Sequence, residues 1–283
     1  MNGFCQNLFP YPCFADFWSA LTDFDVTHVL AVPTMYNYVL ATQDPSKIDR
    51  THFKLRYTMT GAAPFSKELH DQFLEKFGLE IREGYGLTES AGMSTGNLNV
   101  PNKLGSIGVP LPSQQIEIMD SDNNTLPAGS HGEICIKGDS IMLDYLNQPE
   151  ATQETIKDGW LHTGDAGYMD EEGYIYMVGR TKEMINRGGE NIYPREIECV
   201  LEGHPQVAAV AVVGVPDNAL GERVKACIIP SAAGALEPQE VKDYLKDKLA
   251  KYKIPDYVEF YTAFPMNSTG KVLKYQMKNL PSQ

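Results

Sequence analysis

The pattern of apolar residues changes twice along this chain, and these changes constrain the fold more than any single motif. In residues 1–105, helix-like and strand-like segments alternate, which is typical of an α/β domain. In residues 106–181, short segments alternate apolar and polar residues, which predicts an antiparallel β unit. Residues 182–283 mix helix and strand patterns again and are numerous enough for a small α+β domain.

The first zone contains a strand and a helix with recognisable ends. VTHVLAVP (26–33) predicts a buried strand that stops at Pro33. SKELHDQFLEKF (66–77) predicts a helix that is capped by Ser66 and ended by Gly78. The apolar residues expected on one face of this helix are Leu69, Phe73, Leu74 and Phe77.

The later zones are also marked by turn and cap residues. AGYMDEEGYIYMVGR (166–180) predicts a hairpin that turns at Glu171–Gly173. A helix is predicted from Pro194 to Gly203, because proline is favoured in the first helical turn and glycine at the end. The remaining predicted elements are strands over 207–215, 223–230 and 257–264 and an amphipathic helix over 238–250.

Charge and cysteine content exclude some function classes. The 283 residues carry a net charge of −13, so non-specific binding to nucleic acid or to anionic membranes is not expected. The five cysteines are scattered without the spacing of a zinc site, which favours free thiols in a reducing cytoplasm. The longest apolar run, 207–215, is too short to span a bilayer.

Two polar segments in the first zone follow strand-like stretches. They are GAAP (61–64) and EGYGLTES (83–90). Tyr85 could stack on a flat ring, Thr88 could donate to a phosphate, and Glu89 could hold a magnesium ion. The same residue types are equally typical of a capped strand-to-helix turn.

Two further segments are polar and rich in turn residues. In WLHTGDAG (160–167), Asp165 follows a Thr-Gly turn, where its carboxylate could accept both hydroxyls of a ribose. An aspartate in an ordinary turn is the simpler reading. GRTKEMINRGGENIYPREIE (179–198) joins basic residues to a glycine pair, and by itself it could be a solvated linker before a helix.

The Gly-Lys pair near the end of the chain does not form a phosphate-binding loop of the G-x-x-x-x-G-K-[ST] type. Pro265 stands at the first glycine position of that motif, and Val272 replaces its hydroxyl. Lys271 is therefore expected on an exposed turn, and alone it is typical of a surface lysine.

In this order, the segments closely resemble the adenylate-forming family, which includes acyl-CoA synthetases, firefly luciferase and the adenylation domains of peptide synthetases. The fourth of the matching blocks has the form most similar to fatty-acyl and related acyl-CoA ligases. The blocks are Y-G-L-T-E (85–89), W-x-x-T-G-D (160–165), G-R-x-K-E-x-I (179–185), R-G-G-E-N-I-Y-P-x-E-I-E (187–198) and N-S-T-G-K (267–271).

The resemblance implies a two-step activation of a carboxylic acid. The acid attacks the α-phosphate of ATP, with Mg²⁺ bound, to give an acyl-adenylate and pyrophosphate. A thiol, usually coenzyme A, then displaces AMP. Loading of a carrier protein, activation of an aryl acid, and a non-catalytic remnant that only binds nucleotide or a partner are the alternatives.

The resemblance also implies a role for individual residues. Thr88 contacts phosphate, Glu89 carries magnesium, and Asp165 with Arg180 holds the ribose. The residues implied around adenine are Gly61, Ala62, Ala63, Glu83, Gly84 and Tyr85. An apolar slot for the acyl chain is suggested by Met35, Tyr36, Gly61, Ala91 and Met93.

Three positions near and beyond residue 180 are implied to act in the exchange between the two steps. Lys182 matches the hinge, and Gly188–Gly189 matches the passage of the pantetheine arm. Lys271 matches the lysine that bridges the α-phosphate and the attacking carboxylate. A cation at that place offsets the repulsion of two anions, and a mobile domain can deliver it and later remove it.

We also expect the chain to be the C-terminal portion of an acyl-CoA ligase. Nothing in it matches the loop T-S-G-T-T-G-x-P-K-G, which grips the β- and γ-phosphates in this family. We therefore expect these residues alone to show no appreciable turnover. Without the N-terminal block that would cover it, apolar surface such as PYPCFADFW (10–18) should be exposed and able to associate.

Overall fold

The computed structural model describes residues 17–47, 53–62, 65–231, 236–267 and 272–279. Contacts divide the chain into two compact units. The first contains the described residues up to Ser130 together with Cys135–Thr163 and Tyr168–Tyr176. The second contains His131–Ile134, Gly164–Gly167 and the described residues from Met177 onward.

The first unit begins with a five-stranded sheet in the order β1-β2-β3-β4-β5. Its first three strands are parallel, and β3, β4 and β5 pair antiparallel. The strands are β1 (His28–Leu30), β2 (Tyr57–Thr60), β3 (Ile81–Leu87), β4 (Gly92–Gly96) and β5 (Val109–Pro110). The accompanying helices are α1 (Phe17–Asp23), α2 (Pro33–Thr42) and α3 (Lys67–Phe77).

Helix α3 has both of its predicted ends. The Ser66 hydroxyl accepts a hydrogen bond from the Leu69 N–H at 3.2 Å, and Gly78 ends the helix with φ 64°. The expected apolar face is wrong at one position: Leu74 is 37% exposed, and His70 is buried in its place. A residue one position beyond Phe73 is turned about 100° around the axis, which carries it away from the core.

The strand expected over residues 26–33 is shorter and less buried than predicted. Strand β1 lies at one end of the sheet and covers only His28–Leu30, and Leu30 is 68% exposed. Pro33 starts α2 rather than simply stopping a strand, because the first helical turn needs no N–H from that position.

The expectation of an exposed apolar segment at 10–18 is only partly within the described residues, which begin at Phe17. Trp18 contradicts it, because its side chain is buried. Its ring stacks on Phe53 at 6.0 Å and contacts Phe77 at 4.9 Å between ring centroids. The core of the first unit covers this part of the segment.

A second sheet follows the order β10-β9-β7-β6, and β8 pairs with β9. The predicted turn between β9 and β10 is confirmed: Asp170 accepts hydrogen bonds from the N–H groups of Glu172 and Tyr174, and Gly173 has φ 85°. The elements are β6 (Gln114–Met119), β7 (Gly132–Gly138), α4 (Pro149–Thr155), β8 (Ile156–Lys157), β9 (Trp160–Met169) and β10 (Ile175–Arg180).

The third sheet belongs to the second unit and has the order β12-β11-β14-β13, with β15 parallel to β14. Its strands are β11 (Ile185–Arg187), β12 (Glu190–Ile192), β13 (Val207–Asp217), β14 (Gly221–Pro230) and β15 (Tyr257–Phe260). Helices α5 (Pro194–Glu202) and α6 (Pro238–Lys246) have apolar residues in its main core. Helix α5 has the predicted bounds, whereas α6 is shorter than predicted.

Strand β13 reads as an almost continuous apolar run because it contributes to two cores. Val212 lies in the core that includes residues of α5 and α6. Ala211 and Val213 lie in a second core with Phe264 and Met277. Among the described residues, no helix is long and apolar enough to cross a membrane.

Candidate active site

The first unit contains a cavity of about 670 Å³ at the carboxyl ends of its parallel strands. In open α/β sheets, this edge is where ligands bind, because the loops that follow the strands diverge there. The cavity is lined by Leu30, Ala31, Val32, Met35, Thr60, Gly61, Ala62, Gly84, Tyr85, Gly86, Leu87, Thr88, Ala91, Gly92 and Met93. The GAAP and EGYGLTES segments thus meet in one place.

Close approach of backbone segments makes the glycines of this cavity necessary. A Cβ atom at Gly61 would lie 2.8 Å from the carbonyl oxygen of Gly84. At Gly86 it would lie only 1.7 Å from the carbonyl oxygen of Gly92. Part of the cavity wall is therefore bare main chain beside Tyr85, which suits the binding of a flat ring.

Two alanines on the cavity wall adopt left-handed backbone conformations. Ala62 has φ 64°, and Ala91 has φ 58°. This conformation costs about 1–2 kcal/mol for a residue with a Cβ atom, and such strain concentrates at functional sites. Ser90 holds the turn before Ala91: its hydroxyl accepts from the Leu87 N–H at 3.1 Å, and Ser94 donates to it at 2.8 Å.

Thr60, at the end of β2, was not singled out from the sequence. It lines the cavity, it is fully buried, and its hydroxyl has no hydrogen-bond partner among the described residues. A buried hydroxyl without a partner is costly, and a polar ligand group in the cavity could relieve that cost. In the sequence, the only hint that Thr60 belongs to the site is its position immediately before the GAAP segment.

Glu89 lies in the turn after β3 but does not line the cavity. Its carboxylate accepts a hydrogen bond from the Tyr145 hydroxyl at 2.8 Å, and its main-chain oxygen accepts from the Met142 N–H at 2.8 Å. Burial, together with this negative partner, raises the pKa of Tyr145. The phenol therefore stays protonated and holds the Glu89 carboxylate in one orientation. A carboxylate held in this way suits the binding of magnesium beside phosphate oxygens.

Tyr145 was missed in the sequence because it lies in a stretch without a recognised motif. The nearest predicted elements gave no reason to place it beside a residue 56 positions earlier.

Glu83, like Glu89, does not line the cavity. Its main-chain oxygen accepts from the Asn97 side chain at 3.2 Å and from the Asn97 N–H at 3.3 Å.

The expected acyl slot needs one correction. Met35, Gly61, Ala91 and Met93 line the cavity, but Tyr36 does not. The Tyr36 side chain is fully buried in the core, and its hydroxyl donates to the Met59 main-chain oxygen at 2.7 Å. Successive residues of a helix point about 100° apart, so α2 can present Met35 to the cavity only by turning Tyr36 away.

Asp165 and Arg180 form an ion pair in the second unit. The Arg180 Nε atom lies 2.8 Å from Asp165 Oδ1, and the side chains are 48% and 4% exposed respectively. Asp165 lies within β9 rather than after a turn, so the predicted setting is wrong. Gly164 interrupts the regular strand with φ 71°, and its main-chain oxygen accepts from the Thr181 hydroxyl at 3.1 Å.

The remaining predicted positions also lie in the second unit. Lys182 is exposed in a single 3₁₀ turn, Thr181–Glu183, between β10 and β11. Gly188 and Gly189 connect β11 and β12 with φ values of 62° and 92°, the pattern of a two-residue hairpin turn. A Cβ atom at Gly189 would meet nothing within 4 Å, so this side of the turn is open.

Lys271 and Ala63 lie outside the described residues, and so does the exposed turn predicted for Lys271, but the residues that flank Lys271 are described. Met266 pairs with Val272, and the Leu273 N–H donates to the Pro265 oxygen at 2.8 Å. These contacts bring the chain before Lys271 and the chain after it side by side.

Two family models match this chain: "AMP-binding enzyme" over residues 1–146 and "AMP-binding enzyme C-terminal domain" over residues 196–271. The chain belongs to the AMP-binding, adenylate-forming enzyme family.

Its relatives include acid–CoA ligases. It is 37% identical over 260 residues to a long-chain-fatty-acid–CoA ligase of Escherichia coli O6:H1, covering 92% of this chain and 46% of that protein. It is 38% identical over 262 residues to a feruloyl-CoA synthase of an Amycolatopsis species, covering 92% of this chain and 53% of that protein. The chain thus spans about half the length of these curated relatives.

A solved structure supports the same fold. The o-succinylbenzoate coenzyme A synthetase of Bacillus subtilis, in complex with ATP and magnesium, superposes with a TM-score of 0.81 at 33% identity. The match covers 94% of this chain and 54% of that chain. The predicted class, a combination of α/β and α+β architecture, is confirmed.

Proposed function

We propose that this chain belongs to an AMP-forming acid–thiol ligase that activates a carboxylic acid with ATP and transfers the acyl group to coenzyme A. The observation that carries the proposal is the cavity of the first unit. It brings the GAAP and EGYGLTES segments together at the carboxyl ends of parallel strands. Family membership and relatives named as acid–CoA ligases support the same reaction.

In this proposal the nucleotide occupies the glycine-lined part of the cavity. The adenine ring lies between the main chain of Gly61–Ala63 and the ring of Tyr85, beside Glu83 and Gly84. The exposed Thr88 hydroxyl donates to phosphate. Glu89, held by Tyr145, carries Mg²⁺, which supplies positive charge against the phosphates when it is bound.

The second unit supplies the groups that handle ribose and thiol. Asp165 accepts the ribose hydroxyls, and Arg180 holds the buried carboxylate in one orientation. Lys182 is the hinge between a large domain, formed by 1–105 and the β-rich 106–181, and a small domain, 182–283. In this division Asp165 and Arg180 belong to the large domain, although contacts group them with the second unit. The open Gly188–Gly189 turn leaves room for the slender pantetheine arm.

Lys271 acts in the first step only. Its ammonium bridges the α-phosphate and the attacking carboxylate, and so it stabilises negative charge that accumulates as the new bond forms. A mobile small domain can withdraw this group before the thiol arrives.

We propose an apolar acid as the substrate, with a medium or long fatty acid first and an aryl acid second. Leu30, Val32, Met35 and Met93 contribute apolar side chains to the lining of the cavity. The three described cysteines form no disulfide, which supports placing the protein in the reducing cytoplasm.

The test is acid-dependent exchange of labelled pyrophosphate into ATP, followed by coenzyme A-dependent release of AMP. The complete translation product of the gene is assayed with a panel of fatty and aryl acids. We expect exchange with apolar acids, and thioester formation when coenzyme A is added. Binding of AMP without any exchange would favour the nucleotide-binding remnant, and transfer only to a carrier-protein thiol would refute coenzyme A as the acceptor.

A further inference from the structure

Lys274 sits at the centre of an ion cluster that the reaction described above does not use. Its ammonium lies 2.7 Å from Glu183 Oε2 and 2.9 Å from Glu198 Oε1. The Lys274 side chain is 23% exposed and that of Glu198 only 7%, so water screens this cluster less than it screens a surface ion pair.

The two glutamates belong to different elements of the second unit. Glu183 ends the 3₁₀ turn that contains Lys182. Glu198 lies on α5, and its Oε1 atom also accepts the Val212 N–H of β13 at 2.7 Å. Lys274 therefore connects the turn beside the proposed hinge to the folded body of the unit.

Lys274 also lies three positions after Lys271 in the chain. The residues on either side of Lys271 are joined by the Met266–Val272 pair and by the hydrogen bond from the Leu273 N–H to the Pro265 oxygen. From Lys274 onward, the chain forms a short 3₁₀ helix whose Met277 side chain is buried. The ion cluster therefore begins one residue after this hydrogen bond.

We propose that Lys274 is a positioning residue, which couples the residues flanking Lys271 to the hinge turn by bridging Glu183 and Glu198. The proposal rests on the proposed function, in which Lys271 must reach the α-phosphate in the first step and leave before the second. With the bridge in place, a rotation at Lys182 carries Val272 and Leu273 along with the turn. Without it, these flanking residues are no longer tied to the hinge.

The charges in the cluster support a permanent bridge. Burial of Lys274 disfavours its ammonium, but the charges of Glu198 and Glu183 outweigh that effect, and the pKa of Lys274 is raised. The Lys274 ammonium therefore stays charged across the physiological pH range. Because both carboxylates share this one half-buried cation, removing it should affect both of them.

The test compares the half-reactions of Lys274→Met in the complete translation product. Displacement of a reactive group by about 1 Å can cost about a hundredfold in rate, so we expect the kcat for adenylate formation to fall by about tenfold to a hundredfold. The KM for ATP should change less than about twofold, because the Lys274 ammonium is engaged by Glu183 and Glu198 and does not line the cavity. Conversion of supplied acyl-adenylate to thioester should keep most of its rate.

Four further variants separate positioning from general destabilisation. Lys274→Arg keeps the charge and should recover most of the adenylation rate, whereas Lys246→Met removes an exposed lysine of α6 and should have no effect. Glu183→Gln should lower the adenylation rate by a similar factor, and adding it to Lys274→Met should cause little further loss, because both changes break one bridge.

Amide hydrogen exchange gives a readout that does not depend on activity. Lys274→Met should speed exchange at residues 181–187 and 272–277 more than in the core strands β13 and β14.

Unchanged adenylation by Lys274→Met, or an equal loss in both half-reactions, refutes the positioning role. A parent protein that shows no acid-dependent exchange of pyrophosphate refutes the proposed function instead.

Discussion

Replacement of Asp165 by asparagine tests the proposed ribose site with the least change in shape. The parent carboxylate is almost fully buried and receives Arg180 Nε at 2.8 Å, so it is held in one orientation. Hydrogen bonds to a charged acceptor contribute about 1.5–3 kcal/mol and neutral ones about 0.5–1.5 kcal/mol. Each of two ribose hydroxyls should therefore lose about 1 kcal/mol of binding in Asp165→Asn.

The expected total of about 2 kcal/mol corresponds to a KM for ATP raised about thirtyfold. The fold should survive, because the Arg180 side chain is 48% exposed and water can replace its partner. Urea denaturation should therefore show a loss of stability of about 1 kcal/mol or less. Asp122→Asn, at an exposed position in a turn, is the matched control and should leave the KM unchanged.

The assay is pyrophosphate exchange as a function of ATP, 2′-deoxy-ATP and 3′-deoxy-ATP concentration. The parent enzyme should discriminate against both deoxy analogues, and Asp165→Asn should discriminate much less. A KM for ATP within about twofold of the parent value, or equal discrimination by both proteins, would refute the assignment. Asp165 would then act only to hold Arg180 against β9.

Three other substitutions test separate parts of the proposal. Lys271→Ala should slow adenylate formation about a hundredfold or more and spare thioester formation from supplied acyl-adenylate. Equal loss in both half-reactions would show a structural role for that lysine. Lys182→Pro should do the reverse, because proline fixes φ and blocks rotation at the hinge. Release of thioester at the parent rate would place the hinge elsewhere. Tyr145→Phe removes the hydrogen bond to Glu89 and should lower the adenylation rate about tenfold while raising the Mg²⁺ concentration needed for half-maximal activity. A magnesium titration that matches the parent curve would show that Glu89 needs no such support.

The sequence by itself determined the features that depend on near neighbours in the chain. Ser66 and Gly78 set the ends of α3, and Gly173 allows the turn between β9 and β10, because caps and turns are built from local main-chain geometry. The ordered motifs also sufficed to indicate the family. One of them, Y-G-L-T-E, contains Gly86, which the close approach of the Gly92 main chain requires.

Only the tertiary structure decided which side chains meet. Helical periodicity could not show that Met35 faces the cavity while Tyr36 enters the core, or that His70 is buried and Leu74 exposed. The pairing of Tyr145 with Glu89 joins residues 56 positions apart, and that of Lys274 with Glu183 joins residues 91 positions apart. Such contacts depend on where the chain crosses itself after all its elements have packed, and no local pattern of residues encodes that arrangement.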